Sequence, residues 1–570
     1  MKQFYTLAIA ISLTTVAQAQ NNAQAFDWAF NPGSANNILK AMKYDSQGNV
    51  LALCAMWDSA NFAGAQVVSP AVSGYPSTNY YIGKRTTTGT AQILIERGSA
   101  NTLADFSTFN LDANDNIIVA GAATWTTGYD FGNGVSVVGK GYMIAKHNAS
   151  GVAQWARLYN FGNPTMNSFY SNPWKIQTLA DGSVIALLRV SNKFALIKID
   201  ALGNELWYKE YAVATNGSTS TITTSNNSFF VDATGNITLS YLTAVNSGTP
   251  YLSLNNDTTK INNGAHPAVT FLVQFDSNGN KKWNKGFRGF ITDLAVEHLT
   301  GNVLLLYGQY GGQNNVAPMD SLYGNNLSFS NTYGGILAVD STGKFIKASP
   351  TQLNTSEYKS ILPLGGFKTI VTRKYQTTDV LTAGAQNYSV STGSVFAWTE
   401  LDANLLPVYF IAEPAISTQF AEPENLMAVQ GNKVAVCAAW QRTDQLSINV
   451  NGTTLTANDK NTSFATRYNP PFNMWGEDIM LGQYDRTLQG TTGITKLTNN
   501  TMKIYPNPSN GTFTVLSTLV GKTLTITDVA GKQVYNTTLT SVTQQINAEL
   551  NAGIYFVKVG NTKTQKLIVE

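Results

Sequence analysis

A hairpin pattern recurs along the chain and restricts its fold more than any other feature. In residues 271–283, which read FLVQFDSNGNKKW, an apolar strand runs into a polar Asp-Ser-Asn-Gly-Asn turn, and a second strand follows with one large aromatic residue. Asp or Asn bonds to its own backbone in such a turn and Gly accepts a positive φ, so the segment predicts two antiparallel strands. Other copies occupy residues 80–93, 142–155, 194–207, 335–345, 395–409 and 464–475.

A second turn motif lies between the hairpins at regular intervals. It places Asp, Gly and Asn before an apolar strand, as in residues 45–51 (DSQGNVL). Its turn positions are residues 48, 115, 182, 235, 301, 366 and 431, with steps of 67, 67, 53, 66, 65 and 65 residues. A period of this length indicates structural repeats, which take precedence over chain length in predicting domains.

Each repeat also contains an intermediate segment, for example residues 130–138 or 447–452. The predicted strand order is the aromatic strand, the Gly-Asn strand, the middle strand and the Lys-containing strand. Four short antiparallel strands per repeat, with almost no helical periodicity, are typical of a propeller blade. We predict an all-β fold: a seven-bladed β-propeller over residues 20–485, followed by a small C-terminal β-sandwich.

The two ends of this propeller are predicted to meet in one blade. Residues 26–30 (FDWAF) match an aromatic strand, yet no other strand of a blade precedes them. The last Lys-type strand, near residues 464–469, has no complete repeat after it. The N-terminal strand is therefore expected to complete the seventh blade, although Met474 and Trp475 compete with Trp28 for that position.

The repeats resemble the SBBP-type β-propeller repeats of secreted bacterial proteins. The resemblance is carried by an Asp-x-x-Gly-Asn-Val strand, an Asp-Phe-Gly-Asn-Gly segment at residues 130–134 and an apolar hairpin that ends in Trp. It spans about residues 22–485, clearly in the first five repeats and loosely in the last two. The resemblance implies a propeller and export, and it implies no catalytic residue.

Residues 1–19 have the layout of a secretory signal peptide. Lys2 gives a positive start, residues 7–16 are apolar, and residues 17–19 (AQA) form a small-residue cleavage site. The apolar stretch is too short to span a bilayer, and no later stretch is long and apolar enough for a membrane helix. We expect an exported mature chain with no transmembrane segment.

The composition is that of a folded protein with few charges. Charged residues make up 12% and apolar residues 43% of the chain, which argues against disorder. The net charge of +3 leaves no basic stripe, so neither nucleic acid nor an anionic membrane is an expected partner.

The C-terminal residues form a different module, after a predicted linker at residues 486–500. Residues 503–508 (KIYPNP) lead into short alternating strands with Gly and Pro-Asn turns, which predict a β-sandwich over residues 501–570. The module closely resembles the type A C-terminal sorting domain of the type IX secretion system. That resemblance implies contact with the secretion machinery, passage through the outer membrane, and release or attachment at the cell surface. The sorting-signal residues are Tyr505, Pro506, Asn507, Pro508, Gly511, Asp528, Gly531, Lys532, Gly553, Tyr555 and Lys566.

The reactive residue types indicate no metal, cofactor or catalytic site. His147, His266 and His298 fall in different repeats without metal-ligand spacing, which favours satisfied or solvent-facing histidines, and the HExxH and nucleophile-elbow motifs are absent from the sequence. Asp112 begins an alternating oxygen pattern like a calcium loop, but its sister turns lack the pattern and no Glu closes a twelve-residue loop. Turn chemistry is the favoured interpretation.

The two cysteines occupy equivalent positions in the first and last repeats. Cys54 and Cys437 each lie six residues after a turn glycine, in similar apolar strands. Export permits a disulfide, but equivalent side chains point the same way around a ring. Two buried thiols are therefore favoured over a disulfide that closes the ring.

The sequence identifies a scaffold and an export route but no ligand. Most aromatic residues stand at repeated positions and are assigned to the core, whereas Tyr170, Trp174 and Tyr310 do not repeat and are the candidate ligand-binding residues. We expect a non-catalytic protein that binds a polysaccharide or a protein through loops on one face. A propeller-based polysaccharide hydrolase or lyase, and a propeller that is only a spacer, stay open as alternatives.

Overall fold

The computed structural model divides the chain into two compact units, Met1–Thr487 and Leu488–Glu570. It describes residues 28–30, 37–56, 59–62, 65–68, 79–97, 104–123, 129–160, 175–190, 193–214, 229–244, 251–255, 257–260, 268–288, 290–308, 334–349, 357–376, 380–383, 386–389, 394–412, 427–441, 447–450, 453–456, 477–486, 502–517, 519–541, 543–560 and 564–570. The regular elements of these ranges are all β-strands. Within the same ranges, no helix has the length and apolarity to cross a bilayer.

The strands of unit 1 are numbered in chain order. They are β1 (Trp28–Phe30), β2 (Asn37–Tyr44), β3 (Val50–Met56), β4 (Ser59–Phe62), β5 (Ala65–Val68), β6 (Asn79–Arg85), β7 (Ala91–Arg97), β8 (Ala104–Leu111), β9 (Ile117–Ala123), β10 (Tyr129–Gly132), β11 (Val135–Val137), β12 (Gly141–His147), β13 (Ala153–Tyr159), β14 (Lys175–Thr178), β15 (Val184–Val190), β16 (Lys193–Ile199), β17 (Glu205–Ala214), β18 (Phe229–Val231), β19 (Ile237–Ala244), β20 (Tyr251–Leu254), β21 (Asp257–Lys260), β22 (Ala268–Phe275), β23 (Lys281–Arg288), β24 (Phe290–Val296), β25 (Val303–Gly308), β26 (Gly334–Val339), β27 (Phe345–Ala348), β28 (Glu357–Gly365), β29 (Lys368–Gln376), β30 (Val380–Ala383), β31 (Gln386–Ser389), β32 (Ser394–Leu401), β33 (Pro407–Ala412), β34 (Met427–Gln430), β35 (Lys433–Gln441), β36 (Ser447–Val450), β37 (Thr453–Thr456) and β38 (Glu477–Asp485).

The larger sheets of unit 1 are antiparallel and share one plan, in which four strands pair in order. They are β2-β3-β6-β7, β8-β9-β12-β13, β14-β15-β16-β17, β18-β19-β22-β23, β24-β25-β26-β27, β28-β29-β32-β33 and β34-β35-β38-β1. The third of these sheets is extended by β20 and β21, which pair beyond β17. We refer to the strands of each sheet as first to fourth in the order given.

The predicted strand order within a repeat is wrong in one respect. The middle segment does not join the four-stranded sheet; in the second repeat it forms a separate hairpin of β10 and β11. Asn133 and Gly134 both have positive φ there, which closes a tight hairpin locally. The place left in the sheet is taken by the strand that precedes the Asp-Gly-Asn turn, because that turn returns the chain directly alongside it.

The N-terminal strand pairs in the last sheet, as the match of residues 26–30 suggests. Trp28 stands opposite Gln483 and Phe30 opposite Leu481, so β1 is the fourth strand beside β38. The third strand is Glu477–Asp485, not the predicted segment near residues 464–469, which lies outside the described residues together with Met474 and Trp475. In the other sheets, the hairpin motif joins the third strand to a fourth strand that follows it in sequence. The motif cannot mark β38, because the fourth strand of its sheet is β1, from the N-terminal end of the chain.

Apolar cores lie between successive sheets. Leu53 of β3, for example, packs in one core with Ile117 of β9. A further core joins the first sheet to the last and contains Leu39, Cys54 and Cys437, and both cysteines are thiols, as expected. The first strands also contact one another, in the pairs β2–β8, β8–β14, β14–β18, β18–β24, β24–β28, β28–β34 and β34–β2.

A tryptophan on the fourth strand packs on a turn glycine of the next sheet. Trp155 lies over Gly203, whose φ is +88°, and its Nε1 donates to the carbonyl of Ala201 at 3.2 Å. A Cβ at Gly203 would lie 2.8 Å from Cδ2 of Trp155. The same packing recurs for Trp207 on Gly279 and for Trp283 on Gly343. The Trp and Gly of the hairpin motif therefore serve the contact between neighbouring sheets.

We expect Gly203→Ala to destabilise unit 1 more than Gly134→Ala. Both glycines have positive φ, so each alanine costs about 1–2 kcal/mol of backbone strain. Only Gly203 has a side chain above it, and overpacking adds about 1–3 kcal/mol. Denaturant unfolding followed by tryptophan fluorescence measures the difference. Equal losses in the two variants would show that the tryptophan contact carries no weight.

Two of the Asp turns are tied to a lysine of the same sheet. Asp112 Oδ1 accepts the N–H groups of Asn114 and Asn116 at 2.9 and 3.0 Å, and Oδ2 lies 2.8 Å from Lys146 Nζ. These bonds confirm turn chemistry for Asp112. Burial alone would raise the pKa of Asp112, but the bonds from Lys146 and Asn116 outweigh it and hold that pKa below its ordinary value. Asp45 and Lys84 repeat the pair at 2.7 Å.

We expect Lys146→Ala to cost about 3–5 kcal/mol of stability, because it leaves the carboxylate of Asp112 buried without its cation. Lys193→Ala is the control, since Lys193 pairs with Glu210 at 2.9 Å in solvent and should cost at most about 1 kcal/mol. The lowered pKa stabilises the fold above about pH 4 and this stabilisation is lost as pH falls further. Denaturation midpoints at pH 7 and pH 3.5 test both statements; a similar loss for the two lysines would refute the first.

Unit 2 consists of two antiparallel sheets that share one core. Its strands are β39 (Met502–Tyr505), β40 (Thr512–Ser517), β41 (Thr523–Asp528), β42 (Gln533–Thr538), β43 (Thr543–Asn547), β44 (Gly553–Val559) and β45 (Gln565–Val569). One sheet has the order β39-β40-β43 and the other β42-β41-β44-β45. Phe513 and Ile546 of the first sheet pack with Ile526, Val557 and Leu567 of the second.

Candidate functional sites: the C-terminal module and the first strands of unit 1

Asn507 fastens the entry segment of unit 2 to its last strand. The side-chain Oδ1 accepts the N–H of Ile568 at 2.8 Å, and Nδ2 donates to the carbonyl of Lys566 at 2.7 Å. The peptide bonds before Pro506 and Pro508 are both cis. The Tyr-Pro-Asn-Pro entry and the Lys-Leu-Ile-Val end of the sorting signal are therefore one structural feature.

The Asp528 turn uses the same bonds as the turns of unit 1. Oδ1 of Asp528 accepts the N–H groups of Ala530 and Lys532, both at 2.9 Å. Gly531 has a φ of +82°, which a residue with a side chain rarely adopts. The motif positions of this turn thus shape the backbone, and the Lys532 side chain is left exposed.

The remaining sorting-signal residues also have structural positions. Gly511 has a φ of +92° and its carbonyl accepts the N–H of Ala548 at 3.1 Å. Gly553 begins β44, and the buried Tyr555 donates its hydroxyl to the carbonyl of Asn551 at 2.8 Å. The structure therefore brings these signal residues together as determinants of the module's fold.

An exposed apolar surface on unit 2 was missed by the sequence reasoning. Ile554 and Phe556 of β44 are 42% and 37% exposed, and Val529 in the Asp528 turn is 72% exposed. The signal was available, because residues 553–557 are apolar on both alternating faces of one strand.

Short turns and long connections leave the sheets of unit 1 on opposite sides. The first and second strands are joined by turns such as residues 45–49, and the third and fourth by turns such as residues 86–90. The other connections are mostly longer, for example residues 309–333 after β25 and residues 160–174 after β13. Neighbouring strands are antiparallel, so the two kinds of linkage emerge on opposite sides. We call these the turn side and the connection side.

The predicted ligand-binding residues Tyr170, Trp174 and Tyr310 lie outside the described residues, and their role stays a prediction. The strand ends that flank them are described. The connection between β13 and β14 contains the first two, and the connection between β25 and β26 contains the third. Both connections belong to the connection side.

Two first strands of unit 1 carry a charged residue at the same position relative to their second strands. We call this position one level of the first strands. Strand pairing aligns Lys175 of β14 opposite Leu187 and Asp293 of β24 opposite Leu306, at equivalent places in their sheets. The equivalent residues on four of the other first strands are uncharged: Ala41, Thr108, Ser360 and Met427. Sequence reasoning missed this level because it depends on the register between strands.

Charges on two other first strands act on the pKa of Lys175. Burial lowers the pKa of Lys175 to about 8; the negative charge of Asp293 opposes this, and the positive charges of Lys43 and Lys40 on β2 add to it. Burial also lowers the pKa of Lys43. Lys40 lies at a bulge of β2, where the register shifts between Leu39 and Ala41.

The carboxylates of this region are bound by backbone groups. Asp293 is fully buried, and its two oxygens accept the N–H groups of Leu294 and Ile361, each at 2.9 Å. Glu297, just after β24, accepts the N–H of Phe367 at 2.5 Å and the hydroxyl of Thr300 at 2.7 Å. Both acids thus join neighbouring turns and strands.

The described histidines divide into two kinds. His298 is exposed and its carbonyl accepts the N–H of Ala233 at 2.8 Å, whereas His266 lies outside the described residues. His147 is fully buried, and neither ring nitrogen makes a hydrogen bond of normal geometry among the described groups, although a backbone group of Phe131 favours the protonated ring and partly offsets the burial. Burial, followed by the charge of Arg97, lowers the pKa of His147 to about 4 and keeps it neutral. In the described ranges no three His, Cys, Asp or Glu side chains converge as metal ligands.

Residues 503–570 match the secretion-system C-terminal sorting domain. This match confirms the resemblance to the type IX sorting domain, and it indicates a chain that is exported and then secreted or attached to the cell surface. The sorting domain implies contact with the type IX machinery. No curated protein sequence matches the chain significantly.

Several solved structures match this chain at low sequence identity and low TM-score. A chain of the mitotic checkpoint complex is 8% identical with a TM-score of 0.39, over 77% of this chain and 95% of its own. The phage phi92 endosialidase is 7% identical with a TM-score of 0.35, over 95% of this chain and 88% of its own. PorZ, a surface component of the type IX system of Porphyromonas gingivalis, is 10% identical with a TM-score of 0.14, over 95% of this chain and 100% of its own. No functional conclusion follows from these similarities.

We expect Asn507→Ala to loosen unit 2 and to reduce export. The variant loses both hydrogen bonds to β45, at about 0.5–1.5 kcal/mol each. Asn510→Ala is the control, because Asn510 makes a single longer bond to its own turn, to the N–H of Thr512 at 3.2 Å. The measurements are thermal unfolding of the purified chain and its amount outside cells that have a type IX system. Equal export of the two variants would contradict the role of Asn507.

Proposed function

We propose that unit 1 is a seven-bladed β-propeller with SBBP-type repeats and that unit 2 is a β-sandwich sorting domain. Support comes from the shared four-strand plan and from the contacts of first strands, which run from β2 through β34 and back to β2. The core between the first and last sheets, and β1 in the last sheet, support closure of the ring. The proposed boundaries are residues 1–19 for the signal peptide, 20–485 for the propeller, 486–500 for the linker and 501–570 for the sorting domain.

We infer that this exported propeller is a non-catalytic module that binds a polysaccharide or a protein at the connection side. This inference rests on one observation: polar groups that recur in the repeats are already bonded within the scaffold. The carboxylate of Asp112, the ammonium of Lys146 and the indole N–H of Trp155 are all bonded within the scaffold. Recognition is therefore left to the segments that differ between sheets, and these are the longer connections.

Asp293 of β24 and Glu297 just after it support binding rather than hydrolysis. A glycoside hydrolase needs two carboxyl groups that face the bond to be cleaved. Asp293 and Glu297 instead accept backbone N–H groups of the next sheet, Ile361 and Phe367. Tyr170, Trp174 and Tyr310 are the proposed aromatic contacts for the ligand.

The test is a glycan- and protein-array screen of the purified mature chain, with product analysis for every glycan that binds. We expect binding without turnover, and loss of binding by at least tenfold in the double variant Tyr170→Ala with Trp174→Ala. Phe556→Ala is the control, because it removes an exposed aromatic ring from unit 2. Turnover of a bound glycan would overturn the non-catalytic role in favour of a hydrolase or lyase. Silence on both arrays would favour a spacer.

A further inference from the structure

The outer face of the four-stranded sheet of unit 2 is partly apolar. Along β44, Tyr555 and Val557 belong to the core that the two sheets share, and the residues between them alternate to the outer face. Ile554 and Phe556 are the apolar residues of that face, with 42% and 37% of their surface exposed. The solvent side of an antiparallel sheet is commonly polar, as it is at Thr527 of β41, the cross-strand neighbour of Phe556. The core therefore does not account for the apolar residues on this side of β44.

Two lysines adjoin the apolar residues on the same face. Lys558 follows Phe556 by two residues on β44, and Lys566 of β45 stands directly opposite Phe556. Both lysines are exposed, and within the described part of unit 2 neither forms an ion pair. Side chains opposite one another on an antiparallel pair have Cβ atoms about 4.5–5.5 Å apart. Ile554, Phe556, Lys558 and Lys566 thus form one continuous surface, which we call the β44 face.

Unit 2 carries a positive charge that the rest of the chain lacks. Residues 488–570 contain seven lysines and three acidic residues, a net charge of +4, while the remaining residues sum to −1. Of the three acids, Asp528 is bound within its own turn, Glu549 lies in the connection between β43 and β44, and Glu570 follows the last residue of β45. On the outer face, the strands β41, β42, β44 and β45 hold two lysines and no acid. The charge of this surface therefore fits an acidic partner.

Lys566 is a sorting-signal residue whose side chain has no structural role in unit 2. Gly531 supplies the positive φ of a turn and Tyr555 is buried in the core, so those signal residues serve the fold. The backbone carbonyl of Lys566 accepts a bond from Asn507, but its side chain is exposed beside Phe556. Exposed apolar residues with a polar rim are typical of interaction sites. The sorting domain itself implies contact with the type IX machinery.

We propose that the β44 face is the surface by which unit 2 binds a protein of the type IX machinery. The partner site has an apolar centre for Ile554 and Phe556, and carboxylates opposite Lys558 and Lys566. An aromatic residue at the centre and charged residues at the rim are the arrangement found in specific protein interfaces. The proposal goes beyond the binding role of unit 1 and rests only on unit 2 being the sorting domain.

The experiment measures export of the full chain from cells that have a type IX system. Ile554→Thr and Phe556→Thr remove the apolar surface and keep residues that favour strands. We expect each to lower the amount of chain outside the cells at least tenfold, while the melting temperature of the chain purified from the cells stays unchanged. Val520→Thr is the matched control, because Val520 is 45% exposed and lies between β40 and β41, outside the β44 face. This control should be exported like the unaltered chain.

Reversal of the charges tests the chemistry of the partner. The double variant Lys558→Glu with Lys566→Glu should also lose export at least tenfold, because its carboxylates meet those of the partner. Lys522→Glu is the control, since it reverses one exposed lysine just before β41. Equal export of the double variant and this control would overturn the acidic partner.

A chain that ends at residue 500 separates failure of the β44 face from failure of the sorting function. Export of that chain would show that unit 2 is not needed for sorting, and the proposal would fall with that assignment. Retention of the shortened chain together with normal export of Phe556→Thr would overturn the β44 face alone. If Phe556→Thr instead converts a purified dimer to a monomer without a change in export, the face is a contact between two copies and the proposal is wrong. The array screen of unit 1 is independent of all these results.

Discussion

Both units depend on one interaction, a carboxylate that accepts the N–H groups of the residues two and four positions later. Asp45, Asp232 and Asp276 make these bonds in unit 1, and Asp528 makes them in unit 2. A hydrogen bond to a charged group contributes about 1.5–3 kcal/mol, so each such turn fixes the register of the two strands that it joins. In a chain with only 12% charged residues, much of the acidic chemistry is already used in this way.

This interaction also explains how much of the fold the sequence predicts. A turn needs Asp and Gly at fixed local spacing, so the hairpins, the turn period and the sorting domain could be read from residue types alone. The partner strand of β1 in the last sheet could not, because no turn motif marks β38. The hairpin of β10 and β11 has a local turn of its own, but the residue types do not show that it stays separate from the four-stranded sheet. His147 shows the same limit, because its ring contacts Phe131 of the separate hairpin, and the turn motif does not predict a contact between those two segments.

The candidate site is predictable to a smaller extent than the fold. Sequence reasoning assigned ligand contacts to aromatic residues that do not recur from repeat to repeat. This assignment needs only a comparison of the repeats with one another. The charge of Lys175 could not be recognised as unusual from the sequence, because it is exceptional only beside Ala41 and Thr108 at the same level, and that comparison requires the register of several sheets.

The turn side and the connection side of unit 1 have different structural roles. Turns that carry a carboxylate, and tryptophans packed on glycine such as Trp283 on Gly343, hold neighbouring sheets together on the turn side. The connection side is released from that role, so its segments can differ in length without loss of pairing. The side that fixes the register therefore keeps its sequence pattern from repeat to repeat, and the other side is where the repeats differ.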